Sequence, residues 1–384
     1  MNKYRKIIFY AFSSQSWDSY FPVLNALLSV DPNIKDFISV CAPREKYIFR
    51  NKKSKQFFYN FSANYFGPPS SSAGENDRHS FVLVTTHKPD PEHGLSNGLH
   101  IHVPHGSGFG NSSQSGLDYL LSLYQASDIY CGISPYEHFL IKQTLGSKAN
   151  PSVSFIATGC PKNDMFASYI AASGVERARL RHKLKQSMNI PGDQPVIFIA
   201  SHWTPSGLLR KFGTSLIQAL SALDHKFLII QGSHPNLWNW HVNSQTSRWI
   251  SQALSNEEER GVVSLNRGVS DAIPLLASDI VIADHSSIAI EAALLEKRLY
   301  LCVDPKNFNC KLVHQIYKGV GIQFSGADEL AEAISTRVEF PDLRSDMIVK
   351  IKQLFGYKIG NASKKVASVI LNAARGGATL RNEA

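Results

Sequence analysis

The stretch Ile280–Pro305, IVIADHSSIAIEAALLEKRLYLCVDP, decides the fold. Ile280–Ala283 is an unbroken apolar run that stops at a polar turn, Asp284-His285-Ser286-Ser287. Apolar runs without alternation suit strands buried on both faces. Ser286 and Ser287 are good N-caps, so a helix is predicted to begin near Ser287, and a second strand at Leu299. Strand, helix and strand in this order form a βαβ unit, whose strands are parallel and whose crossover is right-handed.

The same pattern recurs on both sides. Strands are predicted at Lys6–Tyr10, Phe37–Cys41, Phe81–Thr85, His100–Val103, Ile129–Cys131 and Val153–Ile156, then at Val196–Ala200, Phe227–Gln231, Val262–Leu265, Ile280–Ala283 and Leu299–Val303. A chain of 384 residues exceeds what one core normally holds, about 250–300 residues. The charged helix Val175–Ser187 runs into Asn189-Ile190-Pro191-Gly192, the grammar of an inter-domain connection. The expected division is residues 1–188, a first Rossmann-like domain; 189–360, a second; and 361–384, a C-terminal helix and tail. Ala126-Ser127-Asp128-Ile129 and Ala277-Ser278-Asp279-Ile280 echo each other across the two halves. The predicted class is α/β, two Rossmann-like domains facing across a cleft, the GT-B arrangement.

Composition narrows the partners. The chain is 43% hydrophobic and 18% charged, ordinary for a globular protein. Met1–Lys6 is basic, but the apolar run after it breaks at Ser13-Ser14-Gln15-Ser16, which favours a first strand over a signal peptide. No stretch nears the ~20 apolar residues of a membrane span. Five cysteines without a CxxC pair suit reduced thiols, hence a cytoplasmic setting. The net charge of +9 favours an anionic partner. Residues 44–66 interleave Arg44, Lys46, Arg50, Lys52, Lys53 and Lys55 with aromatic residues. That segment reads either as a surface for anionic membrane or polyphosphate, or as a solvated helix with its aromatics turned to the core.

Polar clusters follow the predicted strands, where open α/β sheets gather functional groups. They are His105-Gly106-Ser107-Gly108, Thr158-Gly159-Cys160-Pro161-Lys162-Asn163-Asp164, Ser201-His202-Trp203-Thr204-Pro205, Gly232-Ser233-His234-Pro235 and the turn at Asp284. The start of a helix presents free amides and a positive dipole end, which suits phosphate. Glu291 lies one helical turn beyond Ser287, where a carboxylate would accept from ribose hydroxyls.

The ordered set HG, TGxPxxD, a polar turn, HP and DxSS with a downstream acid resembles the CDP-glycerol glycerophosphotransferases of teichoic acid and capsule polymer synthesis. The resemblance spans Leu99–Pro305. It implies a general base at His105 beside Gly106, and a donor-phosphate contact at His234. It implies a pyrophosphate grip at Asp284, His285, Ser286 and Ser287, with Thr204 nearby and Glu291 on ribose or glycerol. Gly159, Pro161, Lys162 and Asp164 match the segment near the domain interface. The chain departs from the pattern in three places. The family's proline-threonine-tryptophan-arginine is replaced by His202-Trp203-Thr204-Pro205, Lys162 stands for an arginine, and His285 stands where tyrosine is frequent. Lysine does not reproduce the two-pronged phosphate binding of arginine.

The implied activity moves glycerophosphate or a related polyol phosphate from a CDP-linked donor to a polymer or lipid-linked acceptor, at the inner membrane face. Two other functions fit the same residues: a GT-B glycosyltransferase using a UDP- or CMP-sugar, and a non-catalytic binder of polyanions. No nucleic-acid module is recognised. An imidazole near pKa 6.5 suits base catalysis, and helix amides suit the leaving phosphate. No acidic DxD pair occurs, so no metal or other cofactor is expected. His100, His102 and His105 carry a zinc-like spacing, but lack an acid or cysteine to complete it.

Overall fold

The computed structural model describes residues 4–11, 14–41, 81–88, 95, 97–106, 114–202, 204–223, 228–232, 244–266, 270–304, 311–339 and 344–376. The segment 44–66 and the expected site residue His234 lie outside them.

One six-stranded sheet holds β1 (Lys6–Tyr10), β2 (Ile38–Cys41), β3 (Phe81–Thr85), β4 (Leu99–His102), β5 (Ile129–Gly132) and β6 (Ser154–Ala157), in the order β2-β1-β3-β4-β5-β6. The other holds β7 (Val196–Ala200), β8 (Leu228–Gly232), β9 (Val263–Asn266), β10 (Ile280–Ala283), β11 (Arg298–Leu301) and β12 (Ile322–Gln323), ordered β12-β11-β10-β7-β8-β9. Every pairing is parallel. In the second sheet β7 and β10 are neighbours at the point where strand order reverses, so the connections leaving them diverge to opposite faces. Such a switch point opens a crevice at the carboxyl ends of the strands. His202 follows β7 and Asp284 follows β10, which puts both there. The fold is α/β with two Rossmann-like units.

The echoed tetrapeptide does the same work in both sheets. Asp128 accepts the His100 amide at 2.7 Å and Asp279 that of Val196 at 3.0 Å, each tying a strand's entry to its neighbour. Ser127 and Ser278 bond back to the carbonyls of Leu123 (2.7 Å) and Leu275 (2.8 Å), closing the preceding helical turn.

The units divide the chain differently from the sequence expectation. One comprises 1–107, 118–165 and 354–384; the other comprises 108–117 and 166–353. The charged helix α3 (Gly174–Ser187), which follows α1 (Ser14–Val30) and α2 (Pro135–Leu145), therefore belongs with the second sheet rather than ending the first domain. The cause is electrostatic. Lys185 reaches Asp279 at 2.7 Å and Arg181 reaches it at 3.1 Å, which bolts α3 to the entry of β10. The C-terminal helix Ala362–Ala374 is no separate appendage. Val366, Ile370 and Leu371 share one buried cluster with Val23, Leu24 and Leu27 of α1 and with β1. No helix among the described residues is long and apolar enough to cross a membrane.

Candidate active site

In the second unit the turn 284–287 is shaped by its aspartate. Asp284 is fully buried, and Oδ2 accepts from the amides of His202 (2.7 Å) and Leu208 (3.1 Å) while Oδ1 accepts from Ser286 (3.1 Å). Burial raises its pKa, and the charge of His285 and the three amides counter that rise. A carboxylate committed in this way pins the loop after β7 to the turn after β10. It also repels an anion. Asp284 thus builds the turn 284–287 by spending its oxygens on backbone amides. Gly207 tightens the same loop, since a Cβ there would collide with the His202 carbonyl.

Helix α4 (Leu208–Phe212) closes that loop, and α5 (Ser287–Leu294) starts after N-cap Ser286. The first amides of any helix have no acceptor within it, so α5 offers them at the switch point. The Ser286 Oγ and His285 Nδ1 atoms are buried and have no hydrogen-bond partner among the described residues. Tyr317, from α6 (Lys311–Val320), donates to the Ser286 carbonyl at 2.9 Å, and burial holds its pKa far above the ordinary value, so the hydroxyl keeps its proton. Thr204 bonds His202 Nδ1 through Oγ1 at 2.9 Å and through its amide at 3.3 Å. Glu291 is fully buried on α5, with no surface from which to meet a ribose in this structure.

In the first unit, His105 follows β4 with Gly106 beside it, both part-exposed. Its Nδ1 lies 3.2 Å from the carbonyl oxygen of Thr86. A carbonyl only accepts, so the ring proton sits on Nδ1 and the Nε2 lone pair is left for a substrate. The ring stacks on His87 at 4.4 Å between centroids, and His87 Nδ1 bonds Thr86 Oγ1 (2.9 Å), which in turn bonds buried Ser16 (2.8 Å). Burial, then the nearby charge of Lys162, then an opposing bond to Thr86 bring the His105 pKa down to about 4. The ring is therefore neutral at physiological pH. His100 uses both ring nitrogens internally, on Thr85 Oγ1 at 2.5 Å and the Ala126 carbonyl at 2.7 Å, which leaves neither for an ion.

The TGxPxxD segment is anchored within its own unit. Asp164 accepts from the amides of Gly360 (2.6 Å), Ala362 (3.2 Å) and Ser363 (2.7 Å), capping the C-terminal helix from far away in sequence. Gly159 has φ +84°, and a Cβ would strike the Tyr357 carbonyl, so only glycine fits where that segment passes. Pro161 opens a short 3-10 turn, Pro161–Phe166, that carries buried Lys162 toward His105. Within this unit, then, the segment brings Lys162 to His105 and spends Asp164 on architecture. The sequence reading missed His87, which obeys the rule that picked the other clusters, since it stands just past a strand end, and it placed His202 in a polar cluster without giving it a role.

Against solved structures, the chain resembles the wall teichoic acid polymerase TagF, in a variant soaked with CDPG, with TM-score 0.62 and 15% identity over 95% of this chain and 88% of that one. The fold is GT-B-like. The UDP-GlcNAc 2-epimerase from Neisseria meningitidis, bound to UDP-GlcNAc, is also similar, with TM-score 0.52 and 16% identity over 96% of this chain and 100% of that one. No protein-family model and no curated protein matches the sequence.

Proposed function

We propose that this chain is a transferase that moves glycerophosphate, or another polyol phosphate, from a CDP-linked donor to a hydroxyl of a polymer or lipid-linked acceptor. The observation carrying this reading is the state of His105, a neutral imidazole with Nδ1 tied to a carbonyl and Nε2 unprotonated. In the proposed step Nε2 takes the proton of the acceptor hydroxyl as its oxygen attacks the β-phosphorus. The bond from that phosphorus to the bridging oxygen breaks, and CMP leaves with the electron pair. A pKa of about 4 makes a weak base in the free protein, and an anionic donor beside Lys162 and His105 would raise it. The free amides at the start of α5 are of a kind that suits the phosphates of a nucleotide. No residue of this scheme requires a metal or a further cofactor. The segment 44–66 would hold the protein to the anionic inner face of a membrane, and neutralising Lys52, Lys53 and Lys55 together should abolish vesicle binding.

The testing experiment is a thermal-shift panel of CMP, CDP-glycerol, CDP-ribitol, UDP-sugars and CMP-sugars, followed by nucleotide release with the best binder. The expected outcome is stabilisation by the CDP-polyols and CMP release. His105→Ala should lower turnover at least a hundredfold while leaving donor binding in place. Near-normal turnover of that variant would remove the base assignment. A second reading, a UDP-sugar enzyme, draws support from the end-to-end match to the UDP-GlcNAc-bound epimerase. Selective stabilisation by UDP-sugars would favour it.

A further inference from the structure

A cavity of about 330 Å³ opens at the amino ends of the second sheet's strands, the opposite end from the turn at Asp284. That size falls at the lower end of small-ligand cavities, about 300–1,000 Å³. Its wall includes Arg181, His182 and Lys185 of α3, the loop residues Gly192 and Asp193, and Asp279 at the entry of β10. Spacings of three and four residues place the three basic side chains on one helix face. A helix laid on a sheet normally turns an apolar stripe inward, whereas the one buried residue of α3 is Lys185.

Donors outnumber acceptors there. Asp279 accepts from Lys185 at 2.7 Å, from Arg181 Nε at 3.1 Å and from the Val196 amide at 3.0 Å. Lys185 gives a second hydrogen to the Gln194 carbonyl at 2.7 Å, and its third is unspent among the described residues. The two terminal nitrogens of Arg181 likewise meet no acceptor among the described residues. His182 Nε2 accepts from the Gln186 side-chain amide at 3.0 Å, so a neutral ring carries its proton on Nδ1, beside Gly192. A Cβ at residue 192 would overlap that ring, so glycine keeps the imidazole at the wall. Buried Lys297 feels the same excess of positive charge. Burial first, then the charge of Arg181, bring its pKa down to about 7, and Asp279 opposes them.

A guanidinium edge, an ammonium hydrogen and an imidazole N–H lining one cavity suit the oxygens of a phosphate. Asp193 stands exposed beside them, where a carboxylate accepts from hydroxyls. No Phe, Tyr or Trp lines the cavity among the described residues, so nothing there stacks a nucleobase. We propose that this cavity binds a small phosphate monoester with a hydroxylated body, a polyol or sugar phosphate. Its phosphate takes Arg181, His182 and Lys185, and its hydroxyls take Asp193. The site stands at the far end of the strands from the switch-point crevice and does not depend on the donor reading above.

The test is calorimetric titration at neutral pH with glycerol 3-phosphate, glucose 6-phosphate, inorganic phosphate and glycerol. It compares the wild-type chain with Arg181→Gln, Asp193→Ala and Gly192→Val, which crowds the wall, each checked for folding by circular dichroism. Lys352→Gln, a basic residue that pairs with Glu296 outside the cavity, is the control for diffuse charge. One of the two esters should bind about tenfold more tightly than inorganic phosphate, and glycerol should not bind. The better ester assigns the body, polyol or sugar. Arg181→Gln and Gly192→Val should each weaken that ester about tenfold, Asp193→Ala should erase its advantage over inorganic phosphate, and Lys352→Gln should change nothing. Unchanged affinity in folded Arg181→Gln and Gly192→Val overturns the site and leaves the Arg181 pair a structural fastener. Equal weakening by Lys352→Gln overturns it too, as an effect of overall charge. Inorganic phosphate binding as tightly as both esters overturns the hydroxylated body, and a wild-type chain that binds none of them overturns the whole proposal.

Discussion

His105 and Glu137 both titrate away from their ordinary values, in opposite senses. Burial disfavours the charged form of each, so the histidine falls to about 4 and the carboxylic acid rises to about 7. For His105 the check is direct titration of its ring by NMR, assigned by the signal missing in His105→Ala. The midpoint should lie near 4 and move upward in Lys162→Met, which removes the neighbouring positive charge. A midpoint at the ordinary value of about 6.5 would contradict the environment described. Glu137, at the start of α2, accepts the Ile133 amide at 2.6 Å and the Tyr130 hydroxyl at 3.1 Å. Its folded pKa lies above the unfolded one, so the folded state keeps a proton that the unfolded chain has released. That contribution is complete below about pH 4 and disappears as pH rises through 7. Relative to Glu137→Gln, the wild-type chain should therefore lose roughly 2–3 kcal/mol of stability between pH 5 and 8. A difference in Tm between the two that stays constant over that range would show that Glu137 titrates normally.

At the scale of elements, the strands could be read because their burial is written locally. Val196–Ala200 and Ile280–Ala283 are buried along their whole length, and an uninterrupted apolar run has few other uses. β12 was missed because Ile322–Gln323 is two residues long and carries no period. The roles of the aspartates were less legible. Asp164 and Asp284 both look from the sequence like site acids, yet each spends its oxygens on backbone amides. The partners of Asp164 lie almost two hundred residues away, and no spacing rule reaches that far. Its capping role has a measurable cost. Asp164→Ala leaves three amides at the start of the C-terminal helix without their acceptor, because Asn361 at the N-cap makes no side-chain bond of its own. Stability should fall by about 2 kcal/mol, and hydrogen exchange should quicken first in 360–366. Unchanged exchange in that helix would mean that the contacts from Asp164 contribute nothing to its docking.

For the whole molecule, the domain division was the least legible feature, and the reason is physical. A helix as charged as Gly174–Ser187 reads as a solvated connector, and its partners Asp279 and Glu296, distant in sequence, assign it to the second unit. The C-terminal helix likewise reads as a tail until its apolar face is seen in the core of the first unit. The first unit is therefore built from three stretches of the chain, and it is incomplete until residue 374 has been made. Removing 354–384 would expose the apolar faces of α1 and β1 that Val366, Ile370 and Leu371 now cover, and would delete the acceptors and amides that meet Arg5 and Asp164. The second sheet draws none of its strands and none of its buried cluster from that segment. Truncation before Leu354 should therefore strip exchange protection from β1–β6 while β7–β12 keep theirs, as read by hydrogen exchange with mass spectrometry. Equal loss in both sheets would show one cooperative body, and retained protection in β1–β6 would show that the helix is dispensable to the core it caps.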